Sequence, residues 1–557
     1  MIYLLSSLDE LNFLEKNKKN AITIFYNYID YANSRDNSSR YFYEKISYNG
    51  NEKNLAFIES LTLNWHRNRK GKDLLYFDHL GIGQILTRRL MFVFTNTVKI
   101  SLALNYWISK YKKIYISNNL KESFQFIDNK IKKNIFWIKF KKNNKTNFLL
   151  RTSIFDLKIH KLSNIARYLQ KFFIKKNKIM YFKDWFSKEF FLYKDVLTLN
   201  NLNFLRGYYF NSNKKIILYF NKKFPKKIDK YLDKENLKNI FNIKLNKKFD
   251  LSKIFLQCVK KIYSENKKKI IFSYSTIFEL LEYYRPKTIF LPGENSAFHV
   301  TILIIAKLLK IKTNIILDGY FLYPQKSIFY KDHLNSSFLF DKYFAYGEAQ
   351  KNIMINSGLR RNNIEVIKSP IRKLKSVSKK IKKRYDAIIL PLSFSHYNFE
   401  SADNLLFYEC QIIKLLEEIN FKNILIKLKP GLKIWDNNRS LDIYKNLYKK
   451  IYNNDIKCNL QISKEPFRNV ARFSKLVIGQ PSTALIESVF YNIPFYLYCP
   501  NACGISKTNL KSSTIFRENE VAKNIIELKK NILLRNKLSI YKNIKSLSGF
   551  SFDILKY

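Results

Sequence analysis

Short apolar runs alternate with longer amphipathic stretches in the second half of the chain. The run 476–478 is wholly apolar, as a buried parallel strand requires. A Gly-Gln-Pro-Ser-Thr turn follows, with Pro481 and Ser482 placed where helix starts favour proline and a hydroxyl cap. The segment 484–491 then repeats its apolar residues at helical spacing, and a further apolar run at 495–498 predicts the next strand.

The same alternation recurs elsewhere. Apolar runs typical of strands occupy residues 1–5, 288–291, 313–317, 343–346, 364–367, 386–392 and 423–427. Helical patterns lie between most of them, and strands that alternate with helices of this length form parallel βαβ units. The sequence therefore predicts an α/β fold. The apolar stretch 90–107 is interrupted by Asn and Lys, which favours a buried helix over a membrane span.

At 557 residues the chain is long enough for two domains. We expect a first domain over 1–371, with the Lys- and Asn-rich residues 134–250 as an insertion in it, and a second over 385–517. Residues 372–384 carry eight basic residues and no acid, which predicts a solvated linker or, alternatively, a membrane-docking patch. Residues 518–557 predict C-terminal helices that pack back on the first domain.

The formal charge of +56 arises from 100 Lys and Arg against 44 Asp and Glu. Lysine is abundant along the whole chain together with Asn and Ile, so a compositional bias explains the charge better than a nucleic-acid function does. The charge still predicts attraction to anionic membrane surfaces. Five cysteines without a CxxC pair, and a start that lacks the basic segment of a signal peptide, indicate a cytoplasmic protein.

Polar loops follow three strands of the predicted second domain. Carboxyl ends of parallel strands lie side by side, and nucleotides bind in the crevice above them. Cations, hydroxyls and free N–H groups there suit a phosphate, and a carboxylate one helical turn further on suits a ribose. The donor-binding candidates are Ser393, Ser395, His396, Lys429, Pro430, Gly479, Ser482, Thr483 and, for the ribose, Glu487.

In the predicted first domain, Glu294 and Asp318 each directly follow a strand. A carboxylate there could remove a proton from an acceptor hydroxyl, and burial beside Tyr320 would raise its pKa. We favour Asp318 as the base, although Asp-Gly is also a common turn pair, and place Glu294 and Tyr320 on the acceptor side. His299 is interpreted as a packed core residue. Without a carboxylate cluster of metal-binding type, we expect neither a metal ion nor a cofactor.

These features resemble the GT-B nucleotide-sugar glycosyltransferases, in which two Rossmann-like domains face a cleft. The resemblance covers roughly residues 285–500 and rests on 346–348, on 366–370 and on the unit around Gly479, which match that group's glycine-rich patterns. Within the group, capsule, sialyl- and polysialyl-type transferases and polyol-phosphate polymerases of bacterial surface polysaccharides are most similar. Some carry an acidic-acidic-Gly motif for the base and a His-Pro motif that binds cytidine monophosphate. This chain has Leu317-Asp318-Gly319 and Lys429-Pro430 there, so one acid is missing and lysine replaces histidine.

The resemblance implies an inverting, metal-independent glycosyltransferase that uses a CMP-activated acidic sugar and a glycan or lipid-linked acceptor, with contact to the inner membrane face. A sugar-nucleotide 2-epimerase and a polyol-phosphate transferase of the same fold remain alternatives. A polyanion-binding or nucleic-acid-binding protein is the non-enzymatic alternative, but no recognition motif accompanies the charge.

Overall fold

The structure is a computed structural model, and it contains three parallel sheets with their helices. The residues that it describes are 2–17, 21–26, 28–34, 39–44, 58, 61–62, 64–67, 75–77, 80–127, 129–140, 179–183, 196–200, 222–223, 225–226, 251–293, 297–316, 319–320, 322, 339–368, 382–392, 404–428, 440–500 and 513–547.

The first sheet has the order β3-β2-β1-β6-β7, and all of its pairings are parallel. Its inner strands are short and mostly buried, whereas the outer ones carry exposed residues. The strands are β1 (Ile2–Leu5), β2 (Ile22–Phe25), β3 (Arg40–Tyr41), β6 (Ile114–Ser117) and β7 (Ile135–Ile138), with a small hairpin of β4 (Tyr76–Phe77) and β5 (Leu80–Gly81). The helices are α1 (Leu8–Asn17), α2 (Tyr28–Asn33), α3 (Ile82–Tyr111) and α4 (Asn129–Lys132).

The second sheet has the order β13-β12-β11-β10-β8-β9 and is also parallel. Its strands are β8 (Ile179–Lys183), β9 (Val196–Asn200), β10 (Thr288–Leu291), β11 (Lys312–Ile316), β12 (Lys342–Tyr346) and β13 (Ile364–Ile367). Its helices are α5 (Leu251–Tyr284), α6 (Ala297–Leu308) and α7 (Glu348–Asn356). Helix α3 packs against α5 and α6, so the first two sheets share a helical layer.

The third sheet has the order β16-β15-β14-β17-β18-β19, again parallel throughout. Its strands are β14 (Tyr385–Ile389), β15 (Asn423–Lys427), β16 (Asn459–Ser463), β17 (Ser474–Gly479), β18 (Phe495–Tyr498) and β19 (Val521–Ala522). Its helices are α8 (Asn404–Glu418), α9 (Leu441–Tyr452), α10 (Phe467–Ala471), α11 (Thr483–Phe490) and α12 (Ile525–Leu533). Two 3₁₀ turns, Ser539–Lys542 and Ile544–Leu547, follow.

Buried apolar residues of all three sheets belong to one continuous core, because the helices between the sheets bury their apolar faces against both neighbours. A polar contact also joins the first and third sheets. The Lys450 ammonium on α9 donates to the Tyr31 carbonyl at 2.7 Å and to the Ser34 hydroxyl at 2.8 Å, and it lies 4.2 Å from the centre of the Tyr31 ring. Beside it, the Asn446 amide donates to the Asn33 side chain at 2.8 Å.

The predicted α/β class with parallel sheets is confirmed. Residues before the predicted linker carry two sheets, and described strands of the predicted insertion pair into both of them: β7 into the first, β8 and β9 into the second. The predicted domain boundaries stay a prediction. Helix α12 packs on β18, β19 and α8 of its own sheet, while the turn Ile544–Leu547 contacts α7 of the second sheet.

Two local predictions are also confirmed. The stretch 90–107 lies within α3 and is mostly buried, and His299 on α6 is buried. Among the residues described above, no helix combines the length and the apolarity needed to cross a membrane.

Candidate functional site

The third sheet reverses its strand order between β14 and β17. Numbered within the sheet, its strands run 3-2-1-4-5-6, which is the order of dinucleotide-binding α/β folds. In such sheets the loops after the first and fourth strands diverge and leave a crevice at the carboxyl edge, where ligands bind. Here the loops begin at Leu390 and Gln480, and the Leu390 N–H donates to the Ile478 carbonyl at 2.8 Å. Two of the three loops selected from the sequence therefore flank this reversal.

Gly479 ends β17 at a point where the two central strands approach closely. A Cβ built on Gly479 would lie 3.0 Å from Leu390 Cβ and 3.1 Å from its Cδ1. Any side chain at this position would therefore have to displace Leu390 and the start of the neighbouring loop. The glycine sets the width of the crevice at its base.

Ser482 is the residue before the first turn of α11. Its backbone is extended, with φ −151° and ψ 168°, as at an ordinary helix N-cap, yet its hydroxyl makes no capping hydrogen bond. The sequence suggested that Pro481 occupies the first helical position, but it lies one residue before the cap. The uncapped first turn of α11 offers its N–H groups and the Ser482 hydroxyl at the carboxyl edge of the sheet.

Thr483, at the start of α11, contacts the loop that follows β11 of the second sheet. Its Oγ1 accepts a hydrogen bond of 3.5 Å from the Tyr320 N–H, and it lies 2.8 Å from the position of a Cβ built on Gly319. The Tyr320 hydroxyl donates to the Leu547 carbonyl at 3.0 Å, and the Gln350 amide on α7 donates to the Gly319 carbonyl at 3.5 Å. The loop after β11 is thus held against the first turn of α11.

Glu487, one helical turn into α11, is largely buried. Burial raises the pKa of its carboxyl to about 7, while the charges of Arg468 and Lys427 act to lower it. Lys427 is the last residue of β15, is itself buried, and donates to the carbonyl of Leu428. Buried lysines are uncommon, and this one was not selected from the sequence because lysine is frequent at every kind of position in this chain.

Glu409 on α8 fixes the loop after β14. It is fully buried, accepts a hydrogen bond from the Leu392 N–H at 2.9 Å, and receives the hydroxyl of Tyr444 on α9. The bond to Leu392 orients the chain directly before the predicted loop that starts at residue 393.

The structure brings five of the predicted site residues to one place: Gly479, Ser482, Thr483, Glu487 and Tyr320. The remaining ones lie outside the described residues: Asp318, Glu294, Ser393, Ser395, His396, Lys429 and Pro430. Some of them have described neighbours in the chain; for example, Gly319 directly follows Asp318, and Leu428 directly precedes Lys429. The roles of all these residues stay predictions.

The first sheet has a second reversal of the same kind, between β1 and β6, but a side chain fills it. Glu10 on α1 is buried and accepts from the Ser6 N–H at 2.7 Å, the Ser6 hydroxyl at 2.6 Å, the Ser117 hydroxyl at 2.6 Å and the Asn119 amide at 2.8 Å. One carboxyl group therefore joins the loops after both central strands. Sequence inspection missed this cluster because its two halves are more than a hundred residues apart.

Within the described ranges, no three His, Cys, Asp or Glu side chains come together as a metal site would require. The metal-independent character of the site stays a prediction. The donors that converge at α11 are hydroxyls and N–H groups, with Lys427 and Arg468 close to Glu487. This chemistry suits an anionic ligand that also carries hydroxyls.

Comparison with known proteins adds little to this geometry. No protein-family model matches the sequence, and no curated protein matches it. Solved structures that align with the chain include the following three.

The UDP-GlcNAc 2-epimerase of Neisseria meningitidis, bound to UDP-GlcNAc, is 11% identical with a TM-score of 0.35 over 67% of this chain and 94% of that one. The UDP-GlcNAc 2-epimerase of Methanocaldococcus jannaschii, in complex with UDP-GlcNAc and UDP, is 17% identical with a TM-score of 0.33 over 50% and 78%. MurG of Acinetobacter baumannii is 11% identical with a TM-score of 0.32 over 51% and 76%. At these values the similarity assigns neither a family nor an activity to this chain.

Proposed function

We propose that the chain is a glycosyltransferase of GT-B architecture that takes its sugar from a nucleotide-activated donor. The observation that carries the proposal is the reversal of the third sheet, where the uncapped first turn of α11 faces Gly319 and Tyr320 of the second sheet. A nucleotide on one sheet and an acceptor on the other would meet at this contact.

Donor binding follows from the groups at α11. The Ser482 and Thr483 hydroxyls and the N–H groups of the first turn bind the donor phosphate, and the helix dipole favours its negative charge. Glu487 accepts hydrogen bonds from the ribose hydroxyls. We assign Lys429 and Pro430 to the donor phosphate, and Ser393, Ser395 and His396 to further polar contacts with the donor.

Transfer needs a base on the acceptor side, and we assign that role to Asp318. The acceptor hydroxyl oxygen forms the new bond to the anomeric carbon, the bond from that carbon to the phosphate oxygen breaks, and the hydroxyl proton passes to the Asp318 carboxylate. Attack opposite the leaving nucleotide inverts the anomeric centre. We assign Tyr320 and Glu294 to the acceptor side, where closure of the two sheets would exclude water.

The donor that we favour is a CMP-activated acidic sugar, and the acceptor is a glycan or lipid-linked glycan of a bacterial surface polysaccharide. Lys429-Pro430 supports this choice, because it stands where similar transferases bind cytidine monophosphate, and a cationic cleft suits an acidic sugar. The enzyme would act on the cytoplasmic side of the membrane.

A nucleotide panel followed by a turnover assay tests the proposal. We expect a single base class among CMP, CDP, UDP and GDP to raise the melting temperature of the chain, since a ligand that binds only the native state stabilises it. With the matching donor, Asp318→Asn should lower the rate at least about a hundredfold without changing the nucleotide shift. Asp9→Asn, an exposed aspartate on α1, is the matched control.

The dependence on acceptor separates the transferase from the 2-epimerase. A transferase releases nucleotide only when an acceptor glycan is present, whereas an epimerase converts the sugar nucleotide alone. No shift with any nucleotide, together with binding to polyanions that weakens steeply with salt, would instead support the non-enzymatic alternative.

A further inference from the structure

Exposed aliphatic side chains are concentrated on α12 and the residue after it. The large apolar residues found exposed in the described parts of the chain are Phe13, Phe136, Trp137, Ile526, Leu533 and Leu534. Three of them therefore lie within one nine-residue stretch, where Ile526, Leu533 and Leu534 are 77%, 60% and 59% exposed. Leu528 and Ile532 are buried against the third sheet, so this helix is apolar on two sides.

The three exposed side chains share one side of the helix. Positions 526 and 533 are seven residues apart, which brings them to the same face, and exposed Lys530 lies between them. Because α12 directly follows β19, it starts at the carboxyl edge of the third sheet and ends at the opposite edge. Leu533 and Leu534 are thus at the end of α12 that is remote from the proposed nucleotide site.

Charge around these residues is denser than the composition of the chain explains. Residues 523–537 hold five basic residues and one acid, a net +4, whereas an average stretch of that length carries about +1.5 from the total of +56 over 557 residues. Lys523 and Lys529 form ion pairs with Glu518 and Glu418, so the charge beside the exposed leucines comes from Lys530, Arg535 and Lys537. The single acid, Glu527, accepts hydrogen bonds from the Lys523 N–H at 2.7 Å and the Asn524 amide at 2.8 Å. It therefore caps the start of the helix, away from Leu533.

We propose that this surface, which we call the α12 surface, docks the protein on an anionic lipid bilayer. It consists of Ile526, Lys530, Leu533, Leu534, Arg535 and Lys537. The aliphatic side chains enter the boundary between headgroups and acyl chains, and the lysines and arginine remain at the lipid phosphates, as amphipathic helices do at interfaces. The charge excess is what favours an anionic membrane over a neutral protein partner.

Vesicle sedimentation of the full chain tests the proposal. The probes are vesicles of phosphatidylcholine alone and of phosphatidylcholine mixed with phosphatidylglycerol, each at low and at high salt. We expect binding to the mixed vesicles, and a part of it that persists at high salt because apolar insertion is not screened. Ile526→Ser, Leu533→Ser and Leu534→Ser combined should weaken the binding at high salt at least about tenfold.

Two further variants control for general effects. Phe13→Ser removes an exposed apolar residue from α1, far along the chain from α12, and should leave vesicle binding unchanged. Combined Lys530→Gln, Arg535→Gln and Lys537→Gln should abolish most of the preference for phosphatidylglycerol. Leu533→Trp reports insertion directly, because bromine-labelled acyl chains should quench the new fluorescence.

Three results would overturn the proposal. The first is that the wild-type chain does not bind the mixed vesicles at low salt. The second is that the triple serine variant binds them as tightly as the wild type. The third is a wild-type dimer in analytical ultracentrifugation that the triple serine variant converts to monomer, since a second copy of the chain would then cover the surface. Circular dichroism melting confirms that each variant is folded.

Discussion

The first and third sheets have the same order over their first five strands, yet their reversals are built differently. In the first sheet, Glu10 on the helix after the first strand binds both central loops through Ser6, Ser117 and Asn119. In the third sheet, Glu409 on the equivalent helix binds the first of these loops at Leu392, and its other oxygen accepts a hydrogen bond from Tyr444.

The consequence lies in the loop after the fourth strand. Because Glu10 holds this loop in the first sheet, a carboxyl group of the protein occupies the place where a ligand anion would bind. In the third sheet the same loop ends at Ser482, whose hydroxyl makes no capping bond, and at Thr483, which contacts Tyr320 of the second sheet. Topology alone therefore does not make a binding site, since the side chains at the reversal decide whether it is filled.

The largest effect on stability is expected at Glu10. Glu10→Ala leaves four donors without their acceptor in a buried place, and each stranded donor costs about 1–3 kcal/mol, so we expect about 4 kcal/mol of unfolding free energy to be lost. Nucleotide affinity should not change. Urea unfolding with and without nucleotide measures both quantities, and a loss of affinity without a loss of stability would reverse the assignment of the two sheets.

Glu487 should make the free energy of unfolding depend on pH. Its pKa is about 7 in the folded protein against 4.5 for an ordinary glutamate, so between these values the native state binds the extra proton. Stability should therefore fall as pH rises from 4.5 to 7, by about 3 kcal/mol, and stay constant above that.

Glu487→Gln should remove this slope. Because ribose hydroxyls donate to the ionised carboxyl, nucleotide affinity of the wild type should weaken as pH falls below 7, while that of the variant stays flat. Titration calorimetry across this pH range measures the effect, and a flat wild-type curve would exclude Glu487 from the ligand contact.

Ser117 and Ser482 form a matched pair, since each is the residue before the first helical turn that comes after the fourth strand of its sheet. Ser117→Ala loses the bond to Glu10 and should cost about 1 kcal/mol of stability with no change in nucleotide affinity. Ser482→Ala should leave stability within about 0.5 kcal/mol and weaken nucleotide binding about fivefold to tenfold. Equal behaviour of the two variants in either assay would remove the contrast between the sheets.

A small effect is also expected at Gly479. In Gly479→Ala the new methyl group meets Leu390 at 3.0 Å, so the two central strands must move apart slightly, at about 1 kcal/mol. Gly358→Ala is the control, because open space surrounds that position and only its φ of 104° is unfavourable. We expect reduced nucleotide affinity in the first variant alone, measured by calorimetry.

Local sequence patterns predicted the strands of the second and third sheets better than those of the first. The predicted strands 288–291, 343–346 and 364–367 match β10, β12 and β13 of the second sheet, and the predicted strands 423–427 and 495–498 match β15 and β18 of the third. The short strands β2, β6 and β16 escaped prediction. A four-residue run such as Ile114–Ser117 directly after a 30-residue helix has too little periodicity to be recognised.

The sequence indicated candidate site residues only where residues adjacent in the chain carry the relevant chemical groups. The turn from Gly479 to Thr483 carries its own glycine, proline and hydroxyls, so the sequence indicated it as a candidate. The burial of Lys427 depends on packing that no local pattern records. The cluster at Glu10 joins residues that lie 107 and 109 positions apart, which only the fold brings together.

Hydrogen exchange with and without the stabilising nucleotide tests the contrast between the two sheets most directly. We predict that nucleotide slows exchange of the backbone amides from Gly479 to Glu487 and leaves those of Ser6 to Glu10 and Ser117 to Leu120 unchanged. Protection confined to the first sheet, with none at Gly479 to Glu487, would contradict the assignment of the nucleotide site to the third sheet.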